Sequence, residues 1–174
     1  GHYVIDASSG STAYGRVLLP SFLDDFGDFK FEARYKDDQQ QNARCWSSLM
    51  GRVQNADYPY MQMCVRYDTT PSDGIEIAHR NQSDKWDVWA RTAYTGKAAG
   101  NYNVYTLHMQ GNRAWGLVNG EQVIAYDSSL YTAGAMGLQA KGLKITVDYV
   151  KVTLGGTSAL DDTAVKCTVS KTRP

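Results

Sequence analysis

Eight side chains between positions 46 and 91 combine the groups that hold a ligand rich in hydroxyls: Trp46, Arg52, Gln62, Arg66, Glu76, Arg80, Trp89 and Arg91. Flat indole rings stack on the apolar face of a sugar, while planar guanidinium and carboxylate groups fork onto neighbouring hydroxyls. Any hydroxyl left unpaired in a desolvated site is costly, so such a mixture discriminates as well as binds. Glu76 and Arg80 are the residues this reading singles out first. The competing reading is a solvated face whose Glu and Arg form cross-strand pairs worth ~0.2–1 kcal/mol each.

Hydrolysis of a glycosidic bond needs two carboxylates flanking it. The chain has three glutamates, Glu32, Glu76 and Glu121, and Glu121 falls in a turn. A hydrolase would use Glu76 with an aspartate, Asp73 or Asp87, but no motif selects either pair, so no catalytic residue is assigned. No CxxC or Cys/His cluster suggests a transition metal. Calcium could sit at Asp24-Asp25, Asp37-Asp38 or Asp161-Asp162, none of which has the spaced oxygens of an EF-hand loop. No cofactor is expected beyond that ion. His79 and His108 are expected to face the core. Cys45 and Cys64 either bridge neighbouring strands or stay buried as free thiols, and mid-strand pairs rarely meet disulfide geometry. Cys167 is left over.

Extended segments must position these groups. Twelve Tyr, four Trp and sixteen Gly with only three Glu favour strand and turn over helix. In Phe29–Lys36 the residues Phe29, Phe31, Ala33 and Tyr35 take one face and Lys30, Glu32, Arg34 and Lys36 the other. This is the pattern of a sheet buried on one side. The same parity sends Met61, Met63, Val65, Tyr67, Ile75, Ile77, Leu49 and Val53 inward, and with them Trp86, Val88 and Ala90. Asn119-Gly120 reads as a two-residue hairpin turn, and Gly111-Asn112 as another. Ser21–Phe26 predicts one helical turn capped by Ser21, and Thr157–Cys167 either a helix or a tail. About ten short strands make an all-β, antiparallel two-sheet β-sandwich or jelly roll.

The 174 residues suit one domain, a β-sandwich module over 1–154 followed by a Gly/Thr/Ser-rich tail or linker over 155–174 that would tether the module to other domains. Eighteen basic against eighteen acidic residues argue against nucleic acid as a partner. No apolar run is long enough for a spanning helix, so membrane insertion is not expected.

Asp28–Tyr35, Gly51-Arg52, the hairpin Val118–Val123, Gly134–Leu138 and Val147–Val152 together resemble the concanavalin A-like lectin/glucanase superfamily. Within it they are similar to laminin-G-like and glycoside-hydrolase-associated modules, the fructan-binding carbohydrate modules among them. The resemblance spans roughly Tyr3 to Leu154. It implies a jelly roll whose concave sheet carries the eight residues above, a carbohydrate partner, and a non-catalytic module of a larger secreted or cell-surface protein. The laminarinase-like enzymes of that superfamily carry a Glu-x-Asp-x-x-Glu strand, which this chain lacks.

Overall fold

The computed structural model describes residues 1–40, 44–55, 58–67, 74–94, 100–127, 130–155 and 164–165. Strands dominate: β1 (Tyr3–Asp6), β2 (Tyr14–Leu18), β3 (Phe29–Gln40), β4 (Trp46–Val53), β5 (Tyr60–Arg66), β6 (Gly74–Arg80) and β7 (Trp86–Ala93). They continue as β8 (Asn103–Gln110), β9 (Arg113–Val118), β10 (Glu121–Asp127), β11 (Ala135–Lys141), β12 (Leu143–Leu154) and β13 (Ala164–Val165). One sheet runs β1-β12-β3-β8-β9-β10, with β13 also paired to β12; the other runs β2-β11-β4-β5-β6-β7. Both are antiparallel throughout. This is the all-β sandwich that the alternation predicts. Among the described residues no helix is long and apolar enough to cross a membrane.

The core lies between the sheets. Phe29, Phe31, Ala33 and Tyr35 of β3 and Leu107 and Met109 of β8 pack against Leu49, Met61, Met63, Val65, Ile75 and Ile77 of the facing sheet. Burying each large apolar side chain contributes about 1.5–3 kcal/mol. Polar groups inside this layer are paired: the Tyr35 and Ser47 hydroxyls lie 2.8 Å apart. Burial raises the Tyr35 and Tyr67 phenols well above their usual range, so both stay neutral. The Asn119-Gly120 turn has both residues at positive φ (51° and 86°), and the Asn119 side-chain oxygen accepts from Val104 N at 2.8 Å. At the other hairpin only Gly111 is left-handed (φ 55°).

Two local expectations are corrected, and a third is left outside the described residues. The turn at Ser21–Leu23 is a 3₁₀ helix whose N-cap is Pro20, so Ser21 caps nothing. His108 is not a core residue: it lies half-buried beside Lys30, its ring stacked on Trp115 at 4.6 Å, because its neighbours Leu107 and Met109 take the inner face. The stretch Thr157–Cys167 falls outside the described residues except for β13.

The two outer faces differ. On the seven-stranded sheet it is wet: Arg34 pairs with Asp148, and the Tyr149 hydroxyl donates to Glu32 at 2.9 Å. On the six-stranded sheet, β4 is buried at every position, and β5, β6 and β11 at every position but the last. A two-layer sandwich leaves one side of each sheet for solvent. Here that side is sealed by its own side chains.

His79, expected to face inward, does so. It is 7% exposed, its Nε2 lies 3.0 Å from the Tyr131 hydroxyl, and its ring stacks on Trp89 at 5.2 Å. Burial holds its pKa below the usual 6.5, with Asp87 opposing the shift. The unfolded chain therefore takes up this proton more readily, and the stability tied to neutral His79 is present above about pH 6.5 and lost on acidification. His108 is shifted the same way, first by burial and then by Lys30. Urea unfolding is expected to show stability falling from about pH 7.5 to 5.5, a window above carboxylate titration, with a shallower slope in His79→Gln. Equal slopes would contradict this.

Candidate functional site

Strand register builds the sealed face in rows. Tyr14, Lys141, Trp46 and Arg66 align across β2, β11, β4 and β5. The next row is Arg16, Gln139, Ser48, Cys64, Glu76 and Arg91, and the third is Leu18, Gly137, Met50, Gln62, Ala78 and Val88. Tyr60, Arg80 and Trp86 form a fourth. Six of the eight residues singled out in the sequence thus share one face: Trp46, Gln62, Arg66, Glu76, Arg80 and Arg91.

The middle rows form a polar floor. Ser48, Gln62 and Glu76 are all 0% exposed. Among the described residues neither amide atom of Gln62 has a hydrogen-bond partner, and neither has the Ser48 hydroxyl. The Glu76 carboxylate sits between two cations, Arg91 Nη2 at 2.6 Å and Arg66 Nη1 at 3.8 Å from Oε1. Beside it, Arg16 donates from Nε and Nη2 to the Gln139 side-chain oxygen at 3.2 and 3.1 Å, and the Tyr60 hydroxyl donates to the same oxygen at 3.3 Å.

Interlocked rings and cations stand around this floor. Lys141 Nζ lies over Tyr14 at 5.3 Å, Tyr14 meets Trp46 edge-on at 5.7 Å, and Trp46 meets Trp86 at 5.2 Å. Arg80 lies over Trp86 at 5.2 Å and is held from behind by Asp84. Tyr14, Arg44, Trp46, Arg66, Arg80, Trp86 and Lys141 line a cavity of about 240 Å³.

Two expected members are elsewhere, each for a backbone reason. Arg52 adopts φ 51°, which turns its side chain off the face. Its guanidinium is buried and donates to the carbonyls of Gly27 (2.9 Å), Tyr131 (2.8 Å) and Gly111 (2.7 Å), tying three loops together. The same twist moves Val53 outward, where it packs with Met50 and Tyr60 rather than with the inner core. Trp89 is the extra residue of a bulge in β7, opposite Ile77/Ala78. The bulge reverses parity: Trp86 and Val88 face outward, whereas Trp89 packs against the core between His79 and Tyr126, at 5.2 Å from each. Asp87 pairs across from His79 on the inner side, so it does not share Glu76's face. Asp73 lies outside the described residues.

Sequence reasoning missed Tyr14, Arg16, Trp86, Gln139 and Lys141. Tyr60 shares its parity with Gln62, two residues further along one strand, and so was legible. The others depend on β2 and β11 joining this sheet and on the bulge. Cys45 and Cys64 are buried free thiols: Cys45 belongs to the inner core and donates to Gly142 O at 2.8 Å, while Cys64 faces the floor. Among the described residues no group of three His, Cys, Asp or Glu side chains is placed to hold a metal ion. Of the acidic pairs, Asp37-Asp38 lies within β3 rather than in a loop: Asp38 binds Lys36 and Thr146, and Asp37 accepts from Gly100 N at 3.2 Å. Burial raises the Asp24 pKa. Asp161-Asp162 lies outside the described residues.

Arg52→Met should destabilise the fold by about 3 kcal/mol or more, because a buried guanidinium that ties three partly buried loop carbonyls together is lost. Denaturant melts check this, and a change under about 1 kcal/mol would contradict the assignment.

Several solved structures share this fold. The carbohydrate-binding module CBM66 from Bacillus subtilis is 16% identical, with 83% of each chain covered and a TM-score of 0.64. A glycosidic hydrolase is 13% identical over 88% of this chain and 77% of its own (TM-score 0.59). A toad ovary galectin, solved with thio-digalactose, is 13% identical over 79% and 97% (TM-score 0.58). No curated protein matches the chain. Residues 13–154, from β2 through β12, match the family described as the 3-keto-alpha-glucoside-1,2-lyase-like domain, and the chain belongs to that family.

Proposed function

We propose that this chain binds carbohydrate on the outer face of its six-stranded sheet, acting as a lectin-like module of a secreted or cell-surface protein. Gln62 carries the reading. An amide with four hydrogen-bonding positions, fully buried and unpaired, costs the folded protein about 1–3 kcal/mol. A hydroxyl both donates and accepts, so sugar hydroxyls reaching Gln62 and Ser48 would complete both groups. Trp46 and Trp86 supply the flat surfaces that stack on a sugar ring. The carbohydrate-binding module and the galectin with the same fold support this reading by analogy.

The family match favours a second reading, elimination from a 3-keto-α-glucoside. A C3 ketone acidifies the C2 proton; a base takes that proton, the C1–oxygen bond breaks, and the aglycone leaves with a proton as an alcohol. Arg80 or Lys141 would stabilise the enolate oxygen. Among the described strand residues Glu76 is the carboxylate on this face, but its two guanidinium partners suit it better to positioning than to accepting a proton. Enone absorbance on incubation with a 3-keto-α-glucoside, lost in Arg80→Gln, would establish this chemistry; no absorbance change would exclude it for that substrate.

For the binding reading, Gln62→Leu is the informative variant. Removing an unpaired buried amide should leave stability unchanged or raise it by about 1 kcal/mol, while affinity for any oligosaccharide the native chain binds falls about tenfold or more. Calorimetric titration and urea melts measure the two effects. Full affinity in a stable Gln62→Leu protein would refute the site.

A further inference from the structure

We infer that Trp46 and Trp86 form a clasp over the polar floor, closed in the free protein, and that a saccharide binds by parting the two rings and lying between them. The inference rests on the carbohydrate-binding reading and adds how that site opens. Strand register is its first ground. Trp46 begins β4 in the first row, and Trp86 begins β7 in the fourth, level with Tyr60 and Arg80. In a flat sheet, three row steps and three strand spacings would hold their backbones roughly 20 Å apart along the strands and roughly 14 Å across them. Their ring centroids are nevertheless 5.2 Å apart. Twist and curvature of the sheet bring these opposite corners together, and the two indoles lean inward to complete the approach. The middle of that diagonal falls on the second and third rows of β5 and β6, where Gln62, Cys64, Glu76 and Ala78 stand. All four are 0% exposed.

Packing supplies a second ground. Trp46 is 4% exposed, yet among the described residues neither it nor Trp86 belongs to either apolar core. The rings that Trp46 meets are Trp86 and Tyr14, and Tyr14 is itself half exposed. Both indoles can therefore swing without disturbing the layer between the sheets. They must move to admit a ligand. Stacking a sugar ring on both indoles sets their planes about 7–8 Å apart, two carbon–carbon contact distances. The closed pair stands at 5.2 Å with its planes inclined by 55°. Parting exchanges one ring-on-ring contact for two ring-on-sugar contacts. It also uncovers Gln62 and Ser48, whose hydrogen-bonding atoms no described residue fills. A ligand that binds the parted form draws the protein into it.

Two measurements on the whole chain test the clasp. Cys64 lies beneath it and Cys45 in the inner core, both as free thiols. A small thiol reagent, with labelled sites mapped by mass spectrometry, thus separates opening of this face from unfolding of the sandwich. Cys64 should label about tenfold faster or more in Trp86→Ala than in the native chain, with Cys45 unchanged. Trp86→Leu, which keeps more apolar bulk, should give a smaller rise of the same kind. Equal acceleration at both cysteines in both variants, or none at Cys64, would overturn the inference. The second measurement is the nuclear Overhauser contact between the Trp46 and Trp86 indole protons. It should be present in the free protein and lost on saturation with whichever of maltotriose, cellotriose, lactose and inulotriose binds, replaced by contacts from both indoles to sugar protons. Binding that leaves the indole–indole contact in place would overturn the inference while the carbohydrate reading stands. If none of these sugars binds, both fail.

Discussion

Burial of polar side chains on the side of a sheet that faces no second layer is the constraint from which this structure's other features follow. Ser48, Gln62 and Glu76 are as inaccessible as the hydrophobic core, yet they lie on the outer face. Desolvating a carboxylate without compensation is prohibitive, which is why Arg91 and Arg66 converge on Glu76. Once those guanidinium groups are drawn over the sheet, they and the Trp46–Trp86 contact shield the floor beneath. Gln62 and Ser48 remain inside with hydrogen-bonding capacity that none of the described residues uses.

Structural tasks are kept apart from this face. Arg52 uses its guanidinium on three loop carbonyls, and His79 uses its ring on Trp89 and Tyr131. Arg52 resembles a binding residue in the sequence and His79 a core residue, and both are committed to holding the sandwich together. Arg16, Gln139 and Tyr60 occupy a middle position: their mutual hydrogen bonds tie β2, β11 and β5 together while leaving the Tyr60 ring under a guanidinium at 5.0 Å. The charged side chains that brace the sandwich are thus different from those gathered on the outer face of the six-stranded sheet.

Side-chain parity made much of this legible. Period-two alternation placed Met61, Met63, Val65, Ile75 and Ile77 inside and Gln62, Arg66, Glu76 and Arg80 together on the other side. It failed where the backbone leaves the regular strand. An arginine at φ 51° carries no mark in the sequence, because left-handed positions are usually foreshadowed by Gly or Asn, as at Asn119-Gly120. The bulge in β7 is equally silent, and one extra residue there exchanged Trp86 for Trp89 on the face. Tyr14, Gln139 and Lys141 could not be placed by alternation alone, since their membership depends on β11 pairing with both β2 and β4, each across more than eighty residues of chain. Parity along a strand is local; the order of strands in a sheet is not.

Nuclear magnetic resonance of the Gln62 side-chain amide during oligosaccharide titration tests the central claim most directly. If ligand hydroxyls complete this group, its Nε2 protons should shift and slow their exchange with solvent, saturating together with binding. Saturable binding that leaves the Gln62 amide resonances unmoved would place the ligand elsewhere and contradict the account.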